Sequence, residues 1–199
     1  MAAATPVTPL WRLSASALKN QLDAGETSSV AIVEALQRRA DATEPQINGF
    51  TRQCRAQALA CAAQLDTERV QGALRGPLHG LPLTVKDNID VAGLPTTVGL
   101  KLSADKRAKT DAVIVARART AGAIILGKSN VPQALMAMHC ENGVYGTTVN
   151  PRSAAHVTGG SSAGEGALIP SGASLMGLAC RCAEPLRSPS AADPRATNP

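Results

Sequence analysis

The sequence predicts an α/β layered fold built on a partly parallel sheet. Three observations predict it. Apolar residues recur at helical spacing through the first third of the chain, and two short apolar runs, 81–85 and 123–126, have the length of buried strands. A helical segment lies between those two runs, and strands alternating with helices favour a parallel sheet covered by helices.

Leu13, Ala17, Leu18 and Leu22 share one helical face, and Gly25 is a natural stop. Ser28 or Ser29 can cap a second helix with Val30, Val33, Leu36 and Ala40 on its apolar side. Its end is expected before Pro45, since the residue preceding a proline is steered away from helical geometry. A third, alanine-rich helix is expected from about Gln53 to Arg69, carrying Leu59 and Leu65. After the break at Gly76-Pro77, Leu81 to Val85 reads as a strand with Lys86 at its far end. Thr96 to Gly99 is a small-residue loop. A helix from about Asp111 to Ala121 places Val113, Ile114 and Ala118 on one side, and Ala123 to Leu126 forms a second buried strand. Lys128, just beyond it, is read as a polar strand terminus. From Gly159 to Gly172 the chain is rich in glycine and serine, which suits a loop pressed close to a ligand or a flexible linker. No internal repeat is found.

Composition narrows the function classes. The chain has 199 residues, 44% hydrophobic and 18% charged, a globular balance with length enough for one sizeable core. The net charge of +5 is scattered, and the cationic run Lys101 to Lys109 lacks the interleaved aromatics that stack bases, so nucleic-acid binding is not expected. Five cysteines without framework spacing, and three dispersed histidines, imply neither a disulfide scaffold nor a metal site, and no cofactor is implied. The first residues show no signal-peptide pattern, and no apolar run approaches the length of a membrane span. A soluble, reducing, cytoplasmic setting is the expectation.

Two stretches carry chemistry. The glycine stretch Gly159-Gly160-Ser161-Ser162-Ala163-Gly164-Glu165-Gly166 lacks the Gly-Lys-Ser/Thr ending of a phosphate loop. Far upstream lies Gly80-Leu81-Pro82-Leu83-Thr84-Val85-Lys86-Asp87-Asn88. A lysine at a strand end is ordinarily solvated. An apolar approach run can instead draw its stem inward, and burial disfavours the ammonium form, which is what a general base requires. The residues alone leave both readings of Lys86 open. Leu135, Met136 and Met138 form a flexible apolar patch whose plain reading is core packing.

Taken together, and with Gly127-Lys128-Ser129-Asn130-Val131-Pro132-Gln133 and Gly146-Thr147-Thr148-Val149-Asn150-Pro151 between them, these stretches resemble the amidase-signature family. The resemblance covers about residues 10 to 178 and is closest in wording to the fatty acid amide hydrolase branch. It implies a layered fold with a mixed central sheet and flanking helices, incomplete in this chain. It implies a Ser-cisSer-Lys relay in which Lys86 is the base, Ser161 the serine of the cis peptide, and Ser162 a supporting hydroxyl. Small or fatty amides would be the substrates, with Leu135, Met136 and Met138 placed like residues that line an acyl-chain channel.

The resemblance breaks at the nucleophile. After Gly177-Leu178 the family continues Gly-Thr-Asp-Ile-Gly-Gly-Ser, whereas this chain reads Ala179-Cys180-Arg181-Cys182-Ala183-Glu184-Pro185-Leu186-Arg187-Ser188-Pro189. Aligned without gaps, Pro185 holds the nucleophile's place, and proline offers neither a hydroxyl nor an N–H for an oxyanion hole. Ser188 and Ser190 lie past that position. Residues 1–178 are therefore read as the N-terminal portion of an amidase domain and 179–199 as a divergent, disordered tail, with self-association expected through unpaired sheet edges. The break is attributed to a change of reading frame or a gene-model error near codon 179. Translating the DNA in three frames checks this: one frame should restore Asp-x-Gly-Gly-Ser, and its absence from all three would contradict it.

Overall fold

A computed structural model describes residues 8–180 of the chain. Of the expected tail 179–199, only Ala179 and Cys180 are described; the rest, with Pro185, Ser188 and Ser190, lies outside the described residues. Among the described residues the sheet has four strands, β1 (Phe50–Gln53), β2 (Pro82–Lys86), β3 (Ile124–Ser129) and β4 (Gly177–Leu178), in the order β1-β3-β2-β4. β2 runs parallel to both its neighbours, while β1 is antiparallel to β3, so the sheet is mixed as expected. Around it lie the helices α1 (Ala15–Asp23), α2 (Ser29–Ile47), α3 (Arg55–Val70), α4 (Val113–Thr120) and α5 (Ala163–Ser171).

Each helix has a local cause. The Ser14 and Ser28 hydroxyls accept from the amides of Ala17 and Ala31 and start α1 and α2. A second cap comes from α3, where the Asp66 carboxylate accepts from the amides of Ser29 and Val30 at 2.7 and 3.1 Å. It thereby ties two helices and places negative charge at the positive end of α2. α2 does not stop before Pro45 but continues to Ile47, closing on Asn48 in left-handed geometry. Burial of Thr43 and Ile47 repays the hydrogen bond that the proline cannot donate. In α4 the buried side chains are Val115 and Ala118, while Val113 and Ile114 are exposed, so the expected apolar face is rotated.

Two cores flank the sheet. Leu18, Leu22, Ile32, Val33, Leu36, Leu65, Ile124, Leu126 and Leu168 pack on one face, and Leu83, Val85, Val91, Val115 and Ile125 on the other. The register of β2 against β3 slips between Leu83 and Thr84, which brings Thr84 opposite Gly127, Val85 opposite Lys128 and Lys86 opposite Ser129. A bulge of this kind changes which residues share a face. Gly127 is needed there, since a Cβ would lie 2.1 Å from the carbonyl oxygen of Arg52 on β1.

Three of these elements were not foreseen, the short β4 among them. β1 occupies residues left outside the helices, and α5 forms within the stretch read as a loop. Replacing Asp66 by alanine is expected to cost about 1–2 kcal/mol, the usual worth of a lost helix cap. Urea denaturation of the two proteins checks this, and equal midpoints would contradict the cap.

Candidate active site

The site forms where β2 ends and α5 begins. Lys86 is the last residue of β2 and has no exposed surface, so its amine must find partners inside. It donates to the Ser161 hydroxyl at 2.7 Å and to the Cys180 carbonyl at 3.0 Å. The Gly160–Ser161 peptide is cis, and α5 starts two residues later. Gly160 is required by a neighbour: a Cβ there would lie 2.1 Å from the Ala137 carbonyl oxygen. Ser162 donates to the Cys180 carbonyl at 3.4 Å, and Asn88 donates to the Cys180 thiol. A neutral amine has two N–H groups and one lone pair. In that form, with one N–H on Cys180, the lone pair could face the Ser161 hydroxyl, and the 2.7 Å contact would then run from Ser161 to the amine.

Leu135, Met136 and Met138 do not enter a core. Met136 is 86% and Met138 47% exposed, with Leu135 half-buried. They lie on the loop whose Ala137 carbonyl presses on Gly160, which brings this loop against the serine loop.

A second lysine departs from expectation. Lys128 is not a solvated terminus but fully buried on the opposite face of the sheet, 3.4 Å from the Asp87 carboxylate. It also donates to the Thr96 hydroxyl at 3.0 Å. Asp87 accepts from the Thr97 amide and hydroxyl. Burial pushes Asp87 up and Lys128 down, and their mutual attraction opposes both shifts.

Glu165 was also missed. Its carboxyl, 6% exposed, accepts from the Thr84 hydroxyl at 2.6 Å and the Ser129 hydroxyl at 2.7 Å. The available signal was a single carboxylate in an otherwise small and apolar segment, since a buried acid demands partners. Burial pushes Glu165 up to about 7, against the pull of those two hydroxyls and of Lys86. Glu44, half-buried and accepting from the Phe50 amide, is likewise pushed up to about 7 by its burial. Among the described residues no three His, Cys, Asp or Glu side chains converge as metal ligands.

This geometry can be compared with known proteins. The family model described as Amidase matches residues 31–193. The chain belongs to the amidase family. Among its relatives it is similar to an acylamidase of Rhodococcus erythropolis, 38% identical over 90% of this chain and 38% of that protein. It is also similar to one subunit of the glutamyl-tRNA(Gln) amidotransferase of Chloroflexus aurantiacus, 36% identical over 93% of this chain and 38% of that protein. A solved fatty acid amide hydrolase superposes with a TM-score of 0.81 at 30% identity, covering 86% of this chain and 31% of that one. This amidase-family chain thus spans little more than a third of the length of the curated relatives it matches. No helix among the described residues is long and apolar enough to cross a membrane.

The two raised carboxyls set a pH dependence. A glutamate with an ordinary value of 4.5 and a folded value of about 7 holds its proton more tightly when folded. Its contribution is complete below 4.5 and is lost as pH rises toward 7. Asp23, Asp41 and Glu68 are held low by basic neighbours and lose their contribution only in more acidic solution. Denaturation midpoints should therefore fall from pH 4.5 to pH 7, with a flatter slope in Glu44→Gln and Glu165→Gln. Midpoints that rise across that window would contradict the assignment.

Proposed function

We propose that this amidase-family chain derives from a serine hydrolase of carbon–nitrogen amide bonds working through a Ser-cisSer-Lys relay. The observation that carries the reading is the 2.7 Å contact between the buried Lys86 amine and Ser161 at the cis peptide. In the relay the neutral Lys86 amine takes the Ser161 proton. Ser161 takes the proton of a nucleophilic serine as that oxygen bonds to the amide carbon. The collapse of the tetrahedral adduct breaks the C–N bond, and the same protons return along the chain to the leaving amine. Water then cleaves the acyl ester by the reverse path. Ser162 steadies the Cys180 carbonyl that Lys86 also uses. Small or fatty amides are the substrate class, with the Leu135, Met136 and Met138 loop as the apolar wall for an acyl group.

The nucleophile is the member this chain lacks. Pro185 stands in its place, with Ala183 and Glu184 where paired glycines would shape an oxyanion hole, and a carboxylate there opposes a developing anion. A second reading follows from the same residues: the polypeptide is an inactive remnant that associates through the outer strands β1 and β4.

A fluorophosphonate probe, which labels activated serines, tests the first reading. No labelling is expected. Labelling abolished by Ser188→Ala or Ser190→Ala would mean that a serine past Pro185 has taken the nucleophile's role. Light scattering tests the second, which a monodisperse, cooperatively melting monomer would contradict.

A further inference from the structure

α5 delivers two functional groups to the same face of the sheet. Ser161 stands two residues before α5 and Glu165 lies in its first turn, and each bonds to groups on that face: Ser161 with Lys86, Glu165 with Thr84 and Ser129. The sheet face they meet carries Thr84 and Lys86, two apart on β2 and so on the same side, with Ser129 opposite Lys86 in the register. The Glu165 carboxyl is gripped by Thr84 and Ser129, the hydroxyls that bracket Lys86 along the strand and across it. Space for it comes from Gly177 on β4, where a Cβ would lie 2.0 Å from the carboxylate oxygen Oε2.

We propose that Glu165 is a positioning residue for the relay: its carboxyl, held by Thr84 and Ser129 on the sheet face that carries Lys86, sets how tightly the Lys86 amine holds its proton. The proposal rests on the relay reading of Lys86 and Ser161 and adds a residue to it.

The surrounding hydroxyls accommodate either state of the carboxyl. When Glu165 is ionised, Thr84 and Ser129 both donate to it, and Ser174 donates to the Met176 carbonyl at 2.8 Å. When it is protonated, it donates to Thr84, whose own hydrogen has the Met176 carbonyl at 3.3 Å as acceptor. No buried donor is stranded in either arrangement. An ionised Glu165 favours the ammonium form of Lys86, and a protonated one favours the free amine.

Lys86 is the charged group acting on Glu165 from β2. On β3, Lys128 is turned to the opposite face toward Asp87. β4 contributes no ionisable side chain, and the Cys180 thiol beyond it is held by Asn88. From α2, Arg39 is engaged by the Ser171 carbonyl and Glu44 by the Phe50 amide.

The test follows the Lys86 side chain by NMR in the full chain labelled with 13C-lysine, its signal assigned through Lys86→Met. Glu165→Gln should lower the proton affinity of Lys86 about tenfold or more, one unit on its titration curve, while leaving Lys128 in place. Ser129→Ala, which removes one donor to the carboxylate, should shift it the same way by less. Ser129→Ala decides the matter should Glu165→Gln fail to fold by circular dichroism. A Lys86 curve unmoved in the folded variant overturns the proposal. A Ser161→Ala arm separates this from the relay itself. Movement with Glu165→Gln alone upholds the carboxyl's role and sinks the relay, movement with Ser161→Ala alone does the reverse, and movement with neither sinks both.

Discussion

A lysine with no exposed surface, standing at the end of a central strand, is the constraint on which the site depends. Its amine must be satisfied by nearby groups, and Ser161 and the Cys180 carbonyl supply them. These contacts bring the segment before α5 and the residue two past β4 to the end of β2. The two glycines that border Ser161 and Glu165 follow from the same crowding. Gly160 yields to the Ala137 carbonyl, and Gly177 yields to the Glu165 carboxylate.

The sheet keeps two buried lysines apart by a single irregularity. Without the register slip at Thr84, alternation would carry Leu126 and Lys128 to one face together. With it, Ser129 joins Lys86 on the α5 side, and Lys128 turns to Asp87 on the other. One buried lysine is thus held as half of an ion pair, and the other is held by neutral groups, with Glu165 behind it.

Much of this was legible in the residues. Helical spacing located α1, α2 and α3, and the apolar runs located β2 and β3, because those signals are local. The Lys86 and Ser161 pair was legible through the resemblance, since no property of either stretch alone joins positions 75 apart in sequence. α5 was not legible: Gly164 and Gly166 lower helix propensity, but the helix packs so close to β3 that a Cβ on Gly164 would lie 2.3 Å from the Asn130 amide. Tertiary contact overrode propensity there. Pro45 misled for a similar reason, since packing of Ile47 carries α2 past it. Lys128 was misplaced because a bulge leaves no mark in a periodicity of two.

The relay stands or falls on one separation, that between the Lys86 amine and the Ser161 hydroxyl, and atomic-resolution diffraction from crystals grown near neutral pH measures it directly. The result expected is a single ordered Lys86 side chain about one hydrogen-bond length from Ser161, with the Gly160–Ser161 peptide cis. A Lys86 side chain turned away from Ser161, with no contact between them, would contradict it.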